Sequence, residues 1–487
     1  MPLSTRPLLP FVHPPFVARA LGAFACAVLL GACAQAPLDA APHLTPAGAP
    51  GASGVFERTL PNGMKVIVRE DRRAPTVVHL VLYRAGSMDE VNGRTGVAHV
   101  LEHMMFKGTK AAPQGEFSRR VAELGGRENA FTSRDHTGYF QQLASRDLAE
   151  VMGLEADRMS NLVIAGEEFD KEIKVVMEER RLRTEDRAQS LVYEQLMATA
   201  WTASPYRAPV IGWMNDLESM RVDDAAAWYR DWYVPSNALL VVVGDVSGEA
   251  VYRLAERTYG RIAARALPQR KPQIEPAQRG LRRAWVKAPA ENPYVMLGFK
   301  VPRLADVARD VDPFALELLS AVLDADENGR LTRNIVRGSR VANKAGASYD
   351  LVARGPALFL LDGTPAEGRS TGDVEQALRA EIARIGRDGV REDELRRIKT
   401  QYLAGQIYQR DSVMAQAMEF GGLEIAGFSH RDADRILERI RAVTAAEVQS
   451  VANRYFGDDA LTVVTLSPQS IANGAARSPQ SAGARRH

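Results

Sequence analysis

Two histidines and a glutamate lie within five residues of one another in the stretch HVLEH, residues 99–103, although the 487-residue chain has only eight histidines. If this stretch is helical, His99 and His103 are four residues apart and share one face, about 5–6 Å from each other. That separation suits two imidazoles that bind one Zn²⁺ at about 2.0–2.1 Å each. Glu102 reaches the same side, where it could take a proton from water. The pattern therefore predicts metal-dependent hydrolysis.

The residues around HVLEH favour a helix. Thr95 or Gly96 is able to start it and Gly108 to end it, and the apolar residues between them recur at helical spacing, which predicts a face toward a core. Two histidines that only cap or pack on a helix are the alternative interpretation. The order H-x-x-E-H, the reverse of the commoner H-E-x-x-H, is the signature of inverzincins and favours the metal site.

A catalytic zinc with two histidine ligands needs a third protein ligand and an open position. His79 and His136 are candidates, and so is a carboxylate on the helix predicted for residues 167–186. Three glutamates of that helix are candidates for the third ligand: Glu172, Glu178 and Glu179. The first and the last are two turns apart and share a face. Mixed Glu and Arg along a helix usually form solvated pairs, however, so the residues alone leave this choice open.

The elements that must position these side chains form two similar α+β units in tandem. The first unit has a predicted hairpin at 56–70, a strand at 76–86, and helices at 95–107, 115–124, 146–161 and 167–184. The second has a strand at 293–302, a helix at 312–325, a strand pair at 347–353 and 357–365, and closing helices at 373–387 and 391–409. We predict an α+β fold of two tandem homologous domains, each a mostly antiparallel sheet with helices packed on one face.

Composition divides the chain into six segments. They are a signal peptide (1–32), a flexible tether rich in Ala, Pro and Gly (33–52), an N-terminal zinc-binding domain (53–265), a Pro-containing linker (266–285), a similar C-terminal domain (286–467) and a low-complexity, disordered tail (468–487). The chain has 62 Lys and Arg against 60 Asp and Glu. Because nucleic-acid binding usually needs a basic domain or stripe, we expect no nucleic-acid partner.

The chain resembles the pitrilysin/insulinase (inverzincin) family of zinc peptidases, which includes the mitochondrial processing peptidase β subunit and bacterial two-domain relatives. That family carries H-x-x-E-H, then roughly 75 residues, a ligand glutamate, and another glutamate seven residues before the ligand. Here 75 residues separate His103 from Glu179, and Glu172 is the earlier glutamate. The resemblance implies that His99, His103 and Glu179 bind one Zn²⁺ per chain, that Glu102 is the catalytic base, and that Glu172 supports the site from behind the ligands.

The segment GGRENAFTSRDHTGYF, residues 125–140, is similar to the family's G-G-x-x-N-A-x-T segment. In relatives this is an edge strand that pairs with the substrate backbone. The resemblance therefore implies that Asn129, Ala130 and Phe131 hold a peptide substrate by strand addition. An ordinary strand after a Gly-Gly turn is the alternative. The resemblance extends over about residues 53–465, and 204–217 and 232–246 match family patterns that look structural.

One family feature is displaced. Many relatives carry an R-x6-Y pair that contacts substrate, but seven residues after Arg337 stands Lys344, and Tyr349 is twelve residues away. Tyr349 is more readily explained as a strand residue. Family members also enclose a chamber between two halves of this size. The resemblance thus implies a homodimer, or a heterodimer with a related chain that supplies the other half and the Arg/Tyr pair.

The first residues indicate export. Arg6 and Arg19 precede a short apolar run that ends LGAC, which resembles the lipobox of bacterial lipoproteins. This resemblance implies a lipid anchor at Cys33 and a place on the periplasmic face of the outer membrane; cleavage after Ala34 would leave a soluble periplasmic protein. Cys26 and Cys33 are the only cysteines, so the domains contain no disulfide.

The function expected from these observations is that of a zinc-dependent endopeptidase, which hydrolyses peptides or unfolded polypeptide segments in the bacterial cell envelope. Metal-activated water would be the nucleophile and a glutamate the general base. The alternative is a non-catalytic structural or assembly subunit of the same fold. Such a subunit would purify without stoichiometric zinc.

Overall fold

A computed structural model describes residues 54–470. The predicted signal peptide, the tether with Cys33, and the tail from residue 471 onward lie outside the described residues. Within residues 54–470, no helix combines the length and the apolar character that crossing a bilayer requires.

The N-terminal half contains a six-stranded sheet. Its strands are β1 (Val55–Thr59), β2 (Lys65–Glu70), β3 (Thr76–Tyr83), β4 (Arg127–Thr132), β5 (Thr137–Ala144) and β6 (Ala238–Gly244). Their order across the sheet is β1-β2-β6-β3-β5-β4. Only β2 and β6 are parallel neighbours; the other pairs are antiparallel. β1 and β4 are therefore the two edges of this sheet.

Eight helices belong to this half. They are α1 (Val97–Met104), α2 (Glu116–Glu123), α3 (Leu148–Asn161), α4 (Gly166–Arg180), α5 (Ala188–Ala200), α6 (Met214–Ser219), α7 (Val222–Trp232) and α8 (Gly248–Arg257). Helix α4 continues into a π-helical turn, Arg181–Glu185. Most of them cover one face of the sheet, where Val81, Leu101 and Val176 are fully buried in a common core.

The C-terminal half contains a five-stranded sheet. Its strands are β7 (Arg282–Pro289), β8 (Tyr294–Val301), β9 (Ala342–Tyr349), β10 (Ala357–Pro365) and β11 (Leu461–Gln469), in the order β7-β11-β8-β10-β9. Its helices are α9 (Asp312–Asp324), α10 (Thr371–Asp388), α11 (Glu392–Gln409), α12 (Val413–Ala426), α13 (Asp432–Ala442) and α14 (Ala445–Arg454). Again one neighbouring pair, β7 and β11, is parallel and the rest are antiparallel.

Each half contributes one helix that packs against the sheet of the other half. Helix α12 of the C-terminal half packs with Phe420 against the second face of the six-stranded sheet, around Leu80 and Val241. Helix α5 of the N-terminal half packs with Leu196 against the five-stranded sheet, near Leu466. Both faces of the six-stranded sheet are therefore covered at its central strands, which explains near-continuous apolar runs such as TVVHLVLY in β3.

The predicted fold class is confirmed: the chain has two tandem α+β units with mostly antiparallel sheets. The expectation that helices pack on one face of each sheet is corrected, because α12 and α5 also pack against the second faces. The strand predicted for 347–353 is corrected to β9, which ends at Tyr349, because residues 350–356 leave the sheet to contact the other half. The helix at 391–409 does not close the unit either. Three more helices follow, and then β11, which lies between β7 and β8, where strands on both sides pair with its buried backbone N–H and C=O groups.

Two segment limits also differ from the sequence interpretation. β7 begins at Arg282, inside the linker predicted for 266–285, because its alternating residues pair with β11. β11 ends at Gln469, two residues into the tail predicted from 468, because Pro468 and Gln469 still pair with β7.

Candidate metal centre

Helix α1 is held at its first turn by buried acidic side chains. Gly96 precedes the helix with φ of 88°, and a Cβ there would lie 2.6 Å from the carbonyl oxygen of Ile211. The carboxylate of Glu90 accepts hydrogen bonds from the backbone N of Gly96 at 2.8 Å and of Ala98 at 2.9 Å. Asp216 accepts from the N and the hydroxyl of Thr95. These acceptors pair with three backbone N–H groups at the helix start and hold it in place.

His99 and His103 lie on the face of α1 that is turned toward α4. Their ring centroids are 4.9 Å apart. Both rings are largely buried, with side-chain exposures of 9% and 15%. The opposite face of α1 carries Val97, Leu101 and Met104 into the core, as their spacing predicts. Core packing therefore orients both imidazoles.

Helix α4 brings Glu179 to the two histidines. Phe169, Ile173 and Val176 form the buried side of α4. Glu179 Oε2 lies 3.7 Å from Nε2 of His99 and 3.4 Å from Nε2 of His103. Ligand atoms of these three residues lie within 4.8 Å of one another.

This donor set fits zinc. Two ligands held about 2.0–2.1 Å from one tetrahedral ion are about 3.3–3.4 Å apart, close to the separations observed here. Nε2 of His103 is buried and makes no hydrogen bond in the part of the chain that is described. Because a buried polar atom rarely stays without a partner, this nitrogen is a candidate metal ligand. Two imidazole nitrogens and one carboxylate oxygen are also common ligands of catalytic zinc.

Two basic side chains bind the carboxylates of Glu172 and Glu179. Nδ1 of His103 lies 3.2 Å from Glu172 Oε2, and Lys107 Nζ donates to the other oxygen of Glu172 at 2.5 Å. Arg183, in the π-helical turn after α4, forms an ion pair with Oε1 of Glu179. Each cation thus binds the oxygen that faces away from the histidines, and this fixes the carboxylate orientation.

Glu102 is 4% exposed, and its Oε2 accepts a 2.5 Å hydrogen bond from the hydroxyl of Thr132. Burial raises the pKa of Glu102 to about 7, although the Thr132 hydrogen bond and His103 act in the opposite direction. A carboxylate with a pKa near 7 is suited to proton transfer at neutral pH.

The pKa values of the three candidate ligands are shifted in different directions. Burial lowers the pKa of His99 to about 3, which keeps the imidazole neutral and able to bind a metal. Burial alone would raise the pKa of Glu179, but His103, His99 and Arg183 outweigh it and lower that pKa to about 2. For His103, the carboxylates of Glu172 and Glu179 overcome burial and raise the pKa to about 9. A cation between Glu179 and the rings therefore competes with a proton on His103.

Asn129, Ala130 and Phe131 all lie in edge strand β4. They pair with Phe140, Tyr139 and Gly138 of β5 on one side only. Ala130 faces the core on the side of α1, while Phe131 packs across the sheet against the rings of Phe140 and His136. Strand β4 is thus an edge of the six-stranded sheet, in which the backbone N of Ala130 donates to Asn129 Oδ1 at 2.9 Å. Its end, Thr132, contacts Glu102.

The other candidate ligands lie elsewhere. His79 is fully buried and bridges Gln141 and the hydroxyl of Tyr259. His136 contacts Ser133 in the β4–β5 turn. Glu178 forms an ion pair with Arg181 and is 59% exposed.

Arg337 and Tyr349, the residues considered for the displaced Arg/Tyr pair, have separate partners in the described part of the chain. Arg337 pairs with Glu327 at 2.8 Å. Tyr349 is the buried last residue of β9, and its hydroxyl donates to the carbonyl of Pro302. It is thus a strand residue, as the sequence indicates.

Three residues of the centre were not identified from the sequence: Thr132, Lys107 and Arg183. For two of them, the sequence contains a spacing that could have identified them. Lys107 follows His103 by four residues, and Arg183 follows Glu179 by four, which is the spacing of neighbours on a helix face. Thr132 is in the G-G-x-x-N-A-x-T segment, but its distance to Glu102 depends on how the sheet packs on α1.

A second acidic group, Glu57, Glu424 and His430, has metal-like spacing. The ammonium group of Lys65 supplies the positive charge at this group, because its Nζ lies 2.7 Å from Glu57 Oε1 and 2.9 Å from Glu424 Oε2. We interpret it as an ion-pair network that joins β2 to α12.

The family model "Insulinase (Peptidase family M16)" matches residues 65–212, which include every residue of the metal centre. The model "Peptidase M16 inactive domain" matches residues 219–402.

Among curated proteins, the chain is 30% identical over 419 residues to the zinc protease PqqE of Helicobacter pylori, covering 84% of this chain and 92% of that protein. The crystal structure of a protease from Helicobacter pylori matches with a TM-score of 0.81 and 29% identity, over 85% of this chain and 99% of that one. The periplasmic protease PqqL from Escherichia coli matches in fold, with a TM-score of 0.73 and 19% identity, over 86% of this chain and 48% of that one.

Proposed function

This chain belongs to the insulinase family, peptidase family M16, and from that premise we propose that it is a zinc-dependent endopeptidase acting on peptides or unfolded polypeptide segments in the bacterial cell envelope. The observation that carries the proposal is the convergence of His99, His103 and Glu179 beside the buried carboxylate of Glu102. A purely structural subunit would have no need to bury these groups together, since each has a desolvation cost.

We assign the binding of one zinc ion to the Nε2 atoms of His99 and His103 and to Oε2 of Glu179. Zinc, when bound, supplies a Lewis acid that activates water at neutral pH. Glu172 and Lys107 orient His103, and Arg183 orients Glu179.

Glu102 is the proposed general base. Thr132 donates to its Oε2, so Oε1 is the oxygen left to take a proton from water. The same carboxyl group then holds that proton for the leaving amine of the cleaved peptide bond. Its location in a buried environment favours the neutral form enough for this exchange near pH 7.

Edge strand β4 is the proposed substrate strand. A peptide added along Asn129–Phe131 would extend the sheet by backbone hydrogen bonds, which select for extended segments rather than for particular side chains. A folded substrate does not offer such a free strand, which is why we propose peptides and unfolded segments.

The direct test combines zinc analysis with digestion of a peptide library. The proposal expects close to one zinc per chain, peptide cleavage by the purified protein, and loss of cleavage with a chelator that zinc restores. Stoichiometric zinc without cleavage of any peptide would count against the enzyme; absence of zinc would favour the assembly subunit.

Two further proposals concern assembly and location. We propose that a second copy or a related chain supplies the other half of the substrate chamber, since this fold corresponds to about half of PqqL. Full peptidase activity in a fraction that elutes as a monomer in gel filtration would contradict this.

We also propose export and a lipid anchor at Cys33, to be tested by mass spectrometry of the N-terminal peptide from membrane fractions.

A further inference from the structure

The connection between β9 and β10, residues 350–356 of the C-terminal half, docks on the β4–β5 turn of the N-terminal half, residues 133–136. The backbone N of Arg354 donates to Asp135 Oδ2 at 2.9 Å, and its guanidinium donates to the carbonyl of Asp135 at 2.6 Å. The same guanidinium donates to the two carboxylate oxygens of Asp89 at 2.9 and 3.1 Å. One side chain of the second half thus holds two segments of the first.

Tyr206 adds a second connection at the same place. Its hydroxyl donates to Oδ1 of Asp135 and accepts from the backbone N of Gly355 at 3.0 Å. A Cβ on Gly355 would lie 2.5 Å from the Tyr206 ring, so the close approach of the two segments requires glycine.

This turn directly follows Thr132, the residue that contacts the proposed catalytic base. Thr132, whose hydroxyl holds Glu102, is the residue immediately before the turn. On its other side the turn is held by residues 87 and 88: the backbone N of Ser87 donates to the carbonyl of Ser133 at 3.2 Å, and that of Met88 to the carbonyl of Arg134 at 3.0 Å. The turn therefore lies between the segment of Asp89 and the loop of Arg354, which are tied to each other.

We propose that residues 350–356 form a clamp that positions strand β4 for substrate and, through Thr132, the carboxylate of Glu102. In this role the C-terminal half takes part in catalysis although it contributes no group to the zinc site, and Arg354 is a positioning residue. The proposal rests on the proposed function. A misplacement of a catalytic group by about 1 Å can cost about 100-fold in rate, so a mobile turn would lower turnover even with zinc in place.

The test compares Arg354→Ala and Tyr206→Phe with a matched control, Arg431→Ala. Arg431 is also an arginine of the C-terminal half that forms an ion pair with the N-terminal half, at 2.9 Å to Glu57. Glu57 is in β1, at the opposite edge of the sheet from β4 and five strand spacings, about 24 Å, away. Removal of Arg354 leaves Asp89 paired with Arg270 at 2.7 Å, so the variant retains a counterion at this site.

The first readout is hydrogen exchange of the full-length, zinc-loaded protein. Amides of residues 127–137 should exchange about tenfold faster in Arg354→Ala, and less so in Tyr206→Phe, while Arg431→Ala leaves them unchanged. This measurement needs no peptidase activity. Unchanged exchange in Arg354→Ala would overturn the clamp.

The second readout is steady-state hydrolysis of a fluorogenic peptide. Arg354→Ala should lower kcat about tenfold at unchanged zinc content, with Arg431→Ala close to wild type. Faster exchange with a kcat equal to that of Arg431→Ala would overturn the role in catalysis. If the wild-type protein hydrolyses no peptide, the proposed function fails, whereas the exchange result still decides whether the clamp exists.

Discussion

The hydroxyl of Thr132 donates a 2.5 Å hydrogen bond to Glu102 Oε2, and so connects the last residue of an edge strand to the helix that carries both histidines. Because β4 is also the proposed substrate strand, a direct hydrogen bond joins the proposed base to the strand that would hold the peptide. Each element of the proposed chemistry can be tested by removing a single contact.

Replacing Thr132 with valine should raise the pKa of Glu102, because the threonine hydroxyl stabilises the charged carboxylate. The base must be ionised to act, so the acid limb of the profile of kcat/KM against pH should move upward by about one pH unit. Thr132→Ser keeps a hydroxyl and should retain the wild-type profile. Identical pH profiles of kcat/KM for Thr132→Val and the wild type would show that Thr132 does not affect the pKa of Glu102.

Glu102→Gln should abolish the proton transfer but leave the metal ligands in place. We expect wild-type zinc content by atomic absorption and a loss in kcat of about 100- to 10,000-fold, the usual contribution of a general base. Glutamine preserves shape and can still accept from Thr132. Substantial turnover by this variant would contradict the assignment of the base.

Glu179→Gln should weaken zinc binding by more than the about 10–100-fold that loss of an outer-shell partner costs. The matched control is Glu178→Gln, one residue earlier on the same helix, where the carboxylate pairs with Arg181 and faces solvent. Competition with a chromogenic chelator measures both affinities. Equal zinc affinity in the two variants would remove Glu179 from the ligand set.

The contact between α12 and β2 predicts a dependence of stability on pH. Burial would raise the pKa of Glu424, but His430 and Lys65 outweigh it and lower that pKa to about 2. Its stabilisation is therefore fully present above pH 4.5, its ordinary pKa, and is lost as the pH falls toward 2.

Glu424→Gln should accordingly lower the free energy of unfolding by about 3 kcal/mol at pH 7, and by about half of that near pH 3. Urea denaturation at the two pH values, with Arg337→Ala as an exposed ion-pair control that should cost less than about 1 kcal/mol, measures the difference. A pH-independent cost would show that Glu424 acts through packing and not through charge.

The sequence by itself determined those features that depend on local spacing. Two histidines four residues apart share a helix face whatever the rest of the chain does, and Glu102 beside them needs no tertiary information. The alternating and continuous apolar runs likewise predict most helices and strands, because burial sets their periodicity. The resemblance to a family added Glu179, which spacing alone left open among three glutamates.

Only the tertiary structure decided which distant side chains meet. Glu178 and Glu179 are adjacent in sequence, but helix rotation turns one to solvent and the other to His99 and His103. Arg354 contacts Asp135 across 219 residues, and α12 begins at Val413, far along the chain from Gly244, where the last strand of the sheet that it covers ends. Such contacts are set by the packing of whole elements, whose geometry is a sum over many weak interactions and has no local pattern in the chain.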